Sequence, residues 1–351
     1  MADTIQTVLG KVNPEDVGRT LTHEHMFLDY RKFYVSPPSG VEEHLQGNIR
    51  LENVGFVQRY PYSSMTNLEF DTADTKAAMF EEMKLYRKFG GHAIVENTSH
   101  GLGGDVGFLE EVSRKTGVHV ISGTGFYLAS VQPASLLKEN VERLCTIMRS
   151  DLTSGCSERS QVKCGVIGEV ASHYPIHHFE EKAIKAAGMV QEELKCPVTF
   201  HPGRDEKAPF EVMRFYTEAG GRANKAVMSH LDRTLKSSKL LDFASEYKCF
   251  LQHDLFGTEV LTYQLGPKFQ MPSDAQRLDR IKLLIEEGFS DRILMSHDIH
   301  TKHRLAAFGG HGYYHIFLNV LPKMRTIGIS DHLIDQITIK NPRNWLSWRS
   351  P

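Results

Sequence analysis

Arg19–Tyr30 reads RTLTHEHMFLDY. A short, partly apolar run ends in two histidines, His23 and His25. In an extended strand, residues i and i+2 share a face. Both rings therefore project to one side, as two ligands of one metal ion must. What is missing matters as much. An open doubly wound sheet carries a glycine-rich phosphate loop after its first strand; here that place holds THEHMF, with no glycine. The pair alone is weak, because 18 histidines scattered over 351 positions give about one His-x-His by chance. Its meaning depends on what the rest of the chain brings to the same place.

Short apolar runs rich in Val and Ile, the mark of buried parallel strands, recur along the chain. Eight are found: VGRTLTHEH, GHAIVENTS, GVHVISGTGFY, CGVIGEVAS, CPVTFHPG, KAVMSHLD, KCFLQHDLFG and RILMSHDIH. They end near His25, Asn97, Tyr127, Ser172, Gly203, Asp232, Gly257 and His300. Helical periodicity lies between them. Over Ser273–Gly288, Leu278, Ile281, Leu284 and Ile285 share one face, Ser273 and Gln276 form a capping box, and Gly288 is a stop signal. Asp71–Gly91, with Met79, Met83 and Tyr86 on one face, Leu109–Gly117 and Pro209–Gly221 also read as helices. Strand and helix alternate without a linker, which predicts a parallel sheet flanked by helices. Eight units predict an α/β fold of the closed (β/α)8 TIM-barrel type, one domain over 1–351, with the open doubly wound sheet as the alternative.

The bulk composition, 40% hydrophobic and 24% charged with net charge −2, is that of an ordinary globular chain. It offers no basic patch for nucleic acid or an anionic membrane. No apolar stretch is long enough to span a bilayer, and the N-terminal residues lack a secretory pattern. Five cysteines, an odd number without Cys-x-x-Cys, suit reduced thiols and a cytoplasmic protein.

The C-terminal ends of the predicted strands carry His23 and His25, then Glu169, His201, His230 and Asp298. In a barrel all these ends open on one face. Each residue alone could be a packed or paired core group. Together, four imidazoles and two carboxylates form a donor set for two first-row divalent ions, with Zn2+ expected and Mn2+ or Fe2+ as alternatives. Glu169 is long enough to bridge them. Tyr127 follows the third strand. Arg204 lies three residues beyond His201, where its guanidinium could grip an anion or pair with Asp205 or another loop acid. Lys302, His303 and Arg304 add basic groups near the mouth. Of His253 and Asp254, one is expected to support a ligand. Glu24, on the opposite face from its neighbours, reads as structural. Gly309–Phe317 reads as a loop over the site or an interface.

THEH, VIGEV, VTFHPGR, VMSHLDRT and MSHDIH, in this order, resemble the phosphotriesterase family of the amidohydrolase superfamily across essentially the whole chain. The resemblance implies a binuclear metal barrel. It implies that His23, His25 and Asp298 hold the buried ion, and His201 and His230 the exposed one. Better-known members bridge the ions with a carbamylated lysine; this chain has Glu169 there and should need no bicarbonate. The resemblance is closest to a branch associated with N-acyl taurine hydrolysis. It thus implies a hydrolase that cleaves the linear amide (C–N) bond of small N-acyl amino-sulfonates, above all N-acetyltaurine to taurine and acetate. The attacking group would be a metal-bridging hydroxide, with Asp298 moving the proton. Arg204, Tyr127 and Arg304 are the candidate substrate contacts. A lactonase or phosphoesterase on the same site, and more remotely a non-catalytic metal-binding barrel, remain alternatives. The expected partner is a small molecule; a homodimer is left open.

Overall fold

The computed structural model describes residues 3–266, 268 and 270–349. The remaining positions of the expected span 1–351 lie outside the described residues. An antiparallel hairpin, β1 (Ile5–Thr7) and β2 (Gly10–Val12), comes first. Eight strands follow: β3 (Thr20–Glu24), β4 (Ala93–Glu96), β5 (His119–Thr124), β6 (Val166–Ala171), β7 (Val198–His201), β8 (Ala226–Met228), β9 (Phe250–His253) and β10 (Ile293–Met295). Each is parallel to, and hydrogen-bonded with, the next in chain order. Helices lie between them, so the architecture is the expected TIM barrel.

Apart from His119, every residue in the eight strands is buried, as strands covered on both faces require. Their side chains alternate between two cores. Ala93, Val95, Ile121, Val166, Val227 and Leu294 pack together with Ile5, Trp345 and Leu346. This is the barrel interior, floored by the hairpin and the helix Asn341–Leu346. Leu21, Ile94, Val120, Ile167, Val198, Met228 and Leu251 instead join the larger core under the helices.

The expected helices are present as Ala73–Lys88, Val106–Thr116, Ala208–Glu218 and Asp274–Glu286. Ser273 and Gln276 form both halves of the capping box. Met79, Met83 and Tyr86 are fully buried, whereas Ile285 is only half-buried at the edge of its face. No helix among the described residues is long and apolar enough to cross a membrane.

Two devices fix the loops above the strands. Glu82, buried on the helix Ala73–Lys88, accepts the Ala306 and Tyr313 amides at 2.5 and 3.2 Å and pins the loop after β10. Arg277 and Asp232 form a fully buried ion pair at 2.8 Å. Asp232 also accepts the Leu255 amide at 3.1 Å, so the pair ties the turns after β8 and β9 to the helix Asp274–Glu286. Breaking such a pair from one side leaves a bare buried charge. Arg277→Met is therefore expected to lower the unfolding free energy by about 3–5 kcal/mol, with partial recovery in Arg277→Met/Asp232→Leu. Urea unfolding of the three proteins measures this.

Candidate metal centre

His23 and Glu169 lie within β3 and β6, and His201 is the last residue of β7. His25, His230 and Asp298 follow the ends of β3, β8 and β10. His230 and Asp298 have left-handed backbones, at φ 58° and 54°. Non-glycine residues adopt this region at a cost, so the surroundings must hold it. The His230 amide donates to Asp254 Oδ1 at 3.0 Å, and the Asp298 amide to the His23 carbonyl at 3.1 Å. These bonds turn the chain sharply at the rim of the barrel.

All six side chains converge. The donor atoms of His23, His25 and Asp298 lie within 4.8 Å of one another, as do those of His23, Glu169 and His230. Glu169 spans both groups. Its Oε1 is 3.6 Å from His25 Nε2; its Oε2 is 3.4 Å from His23 Nε2 and 2.9 Å from His201 Nδ1. His201 Nδ1 is also 3.0 Å from His230 Nε2. Burial alone pushes the Glu169 and Asp298 carboxyls up, but the facing imidazoles hold both well below the usual range. Burial pushes His201 down to about 3. Both carboxylates are thus ionised, and the His201 ring is neutral, at neutral pH. His23 Nε2 is buried and has no hydrogen-bond partner, although it points into the middle of the cluster. An unpartnered buried nitrogen ringed by carboxylates fits a cation. These residues could hold two divalent ions.

The far side of each ring is held as well. Asp254 accepts from both His23 Nδ1 (2.9 Å) and His230 Nδ1 (2.8 Å). His25 Nδ1 meets Thr98 Oγ1 at 2.9 Å, and Thr98 is held by Glu96 at 2.5 Å. Asp298 Oδ1 lies 3.2 Å from His300 Nδ1, whose other nitrogen is 3.0 Å from the Tyr62 hydroxyl. Such outer partners set the tautomer and orientation of ligating imidazoles. Of the two candidates on the seventh barrel strand, Asp254 is the supporter; both ring nitrogens of the buried His253 lack partners.

Above the cluster stands an aromatic wall. The Tyr127 ring edge packs on His201 at 5.3 Å, and its hydroxyl is 3.3 Å from that of Tyr30. Among the described residues, Arg204 pairs with neither Asp205 nor another acid. It donates to the Tyr263 hydroxyl at 3.1 Å and leaves Nε buried without a partner. Arg233, which the sequence reading did not single out, does the same: Nη1 is 3.4 Å from the Tyr263 hydroxyl, Nη2 is 3.3 Å from His201 Nε2, and Nε has no partner. Arg304, expected at the substrate, is buried and donates to the carbonyls of His297 and Asp298. It braces the loop that carries Asp298. Lys302 pairs with Asp74, and His303 with Asn67. Gly309, Gly310, His311 and His315 line a cavity of about 600 Å³ that reaches Asp298, so Gly309–Phe317 lies over the site. Tyr313 in that loop donates to the His25 carbonyl.

A closed parallel barrel with paired carboxylate and imidazole groups at the C-terminal ends of its strands defines a class, the barrel hydrolases that work at that face. The comparisons narrow it. Residues 3–346 match the family model for the phosphotriesterase family. A phosphotriesterase-related protein of Drosophila persimilis is 50% identical over 345 residues, covering 98% of this chain and 99% of that one. A resiniferatoxin-binding protein from Rhodobacter sphaeroides superposes with TM-score 0.92 at 27% identity, over 98% of this chain and 94% of its own. A mutant of a PTE-like lactonase from Deinococcus radiodurans gives 0.76 at 25% identity, over 98% and 100%. The chain belongs to the phosphotriesterase family, a family of binuclear metal hydrolases.

Two outcomes test the centre. Asp254→Asn is expected to weaken divalent metal binding roughly 10–100-fold with the fold intact, read by chelator competition and circular dichroism. Metal-stripped protein should reload equally with and without bicarbonate, because Glu169 brings its own carboxylate between the two donor groups and needs no modification.

Proposed function

We propose that this chain is an amidohydrolase of small N-acyl amino-sulfonates, with N-acetyltaurine, cleaved to taurine and acetate, as its substrate. In this reading His23, His25 and Asp298 would hold one ion and His201 and His230 the other, with the Glu169 carboxylate available to both; zinc is the proposed metal. One observation carries the choice of substrate. Two guanidiniums, those of Arg204 and Arg233, converge on one phenol beside His201, and among the described residues no carboxylate pairs with either. Uncompensated buried positive charge next to a hydrolytic centre calls for an anionic substrate. The identity to phosphotriesterase-related proteins, taken with the branch resemblance, supports a sulfonate on a short amide.

When bound, the two ions supply Lewis acidity and make hydroxide available near neutral pH. The protein's own residues do the rest. Arg204 and Arg233 grip the sulfonate and set how far the amide reaches. Tyr30, Tyr62 and Tyr127 exclude bulk water from the reacting bond. Asp298, oriented by His300, accepts the proton of the attacking water and returns it to the departing amine nitrogen. Water adds to the acyl carbon, the C–N bond breaks, and acetate and the amine leave.

A lactonase reading has its own support. A structural neighbour is named as a lactonase, and Leu255, Val260 and Met271 give the mouth cavity an apolar side. A non-catalytic barrel has less, since none of the six ligand positions is missing. Five free thiols support a reducing, cytosolic setting.

The deciding experiment compares N-acetyltaurine, N-acetyl amino acids, a lactone and a neutral phosphotriester on metal-replete protein. Acetate release from N-acetyltaurine, abolished in Asp298→Asn, is expected to dominate. Faster turnover of the lactone or triester would replace the amidase reading. Arg204→Met, which removes a guanidinium that touches Tyr263 and none of the ligand positions, should raise KM for N-acetyltaurine at least about 30-fold, as truncating one partner of a buried charge contact costs at least about 2 kcal/mol, while sparing the lactone.

The pH response follows from Tyr263. Burial pushes its phenol up, but Arg204 and Arg233 pull it down to about 8. Below that pH the phenol is neutral and both guanidiniums are free for the substrate; above it the phenolate competes. KM for N-acetyltaurine should therefore rise above about pH 8, and Tyr263→Phe should remove that rise.

A further inference from the structure

A second group of reactive side chains lies away from the metal cluster, in the connection between the helix Val141–Thr153 and β6. The chain there folds back on itself. The Cys156 amide donates to the Val162 carbonyl at 2.8 Å, the Arg159 amide to the Cys156 carbonyl at 3.0 Å, and the Cys164 amide to the Asp151 carbonyl at 2.9 Å. This closed turn brings Cys156 Sγ within 3.5 Å of Cys164 Sγ. Both are free thiols. Both line a cavity of about 220 Å³, separate from the mouth, whose walls include Ser122, His100 and Asp151. A bonded pair sits at about 2.05 Å, so the sulfurs need to close only about 1.5 Å. The cavity gives a small oxidant a way in.

We propose that Cys156 and Cys164 are a dithiol oxidation site that a hydroperoxide converts to a reversible intramolecular disulfide. Cys156, the more exposed at 8% against 2%, reacts first. Its thiolate attacks the peroxide oxygen, the O–O bond breaks, and the released oxygen leaves protonated as water or an alcohol, giving a sulfenic acid. Cys164 follows. Its hydrogen bond to Cys156 and its burial hold its thiol well above the usual range, which makes it a poor first nucleophile. Held beside the oxidised sulfur, it attacks that sulfur; the S–O bond breaks and hydroxide leaves, taking up the Cys164 proton as water. The two thiols lose two protons and two electrons, and the peroxide is reduced by two electrons. The bond closes a short loop between a helix and a barrel strand, a constraint that acts on the unfolded chain.

The test treats the whole, reduced protein with hydrogen peroxide. The titratable thiols should fall from five to three, with a loss of about 2 Da and a disulfide-linked peptide pair holding Cys156 and Cys164. Dithiothreitol should reverse all three, and the oxidised form should melt higher. In Cys164→Ala, dimedone should trap a sulfenic acid on Cys156. The proposal fails if all five thiols survive peroxide that oxidises glutathione in the same tube. It fails equally if either cysteine gains oxygen in place of the 2 Da loss, or if the bond forms between molecules. Because the mass readout uses the unmutated chain, a poorly folded variant cannot decide the result.

Discussion

The barrel closes on a carboxylate. Neighbouring strands from β3 to β10 are joined by backbone ladders, but the first and last are not joined to each other that way. Just past the end of β10 the Asp298 amide donates to the His23 carbonyl at 3.1 Å and the His25 amide to the Ile299 carbonyl at 3.3 Å, and Glu24, at the end of β3, holds these segments together. Its Oε1 accepts the Ser296 hydroxyl and the His297 amide, both at 2.8 Å, and its Oε2 accepts the Ile299 amide at 3.0 Å. Ser296 in turn accepts the His23 amide at 2.9 Å. All of these groups are buried, so the charge is tolerable only with every donor in place. His23 and His25 flank Glu24, and Asp298 lies among its partners. Closing the barrel and assembling half of the candidate metal centre are therefore one event.

The rest of the centre follows the same logic of satisfied polarity. Each strand end turns one or two donor groups toward the middle, and a partner one step further out fixes how they point. Asp254 serves two rings at once, so the two candidate metal positions share a support and cannot be tuned independently. The exception is the side of His201. There the outer partner is Arg233, a cation, and the next group out is a phenol that faces two guanidiniums. The polarity left unbalanced at that edge is positive, and the cavity opens beside it.

Much of this was legible in the sequence, for physical reasons. Strands covered on both faces must be apolar, so eight runs stood out. Metal-type ligands at their ends stood out because charged and imidazole groups seldom interrupt such runs. Period-two geometry also put Glu24 opposite His23 and His25, where the seam uses it. What stayed hidden depends on contacts between distant segments. Tyr62 and Tyr30 reach the site from the long irregular stretch before the helix at Ala73, which has no periodicity to read. Arg204 and Arg304 look alike as basic residues beside ligands; only the fold shows one facing a phenol and the other bracing carbonyls. Arg233 stood in a quoted motif, but nothing local says that its charge has no partner. The choice between His253 and Asp254 turned on where the strand ends, since the first residue beyond a strand no longer alternates.

The two ends of the described chain meet beneath the barrel. Thr4 and Trp348 exchange backbone hydrogen bonds at 3.0 and 3.1 Å, beside the hairpin and the helix that floor the interior. Lys225, just before β8, adds bonds to the carbonyls of Asn344, Trp345 and Ser347. The strands run from this floor to the metal cluster. A short peptide joining the ends would bridge neighbours on the face away from the mouth, so the barrel can be reopened at another loop with the order of its strands preserved. For the same reason, a surface attached at Thr4 or Trp348 faces the floor and leaves the cavity mouth on the opposite side.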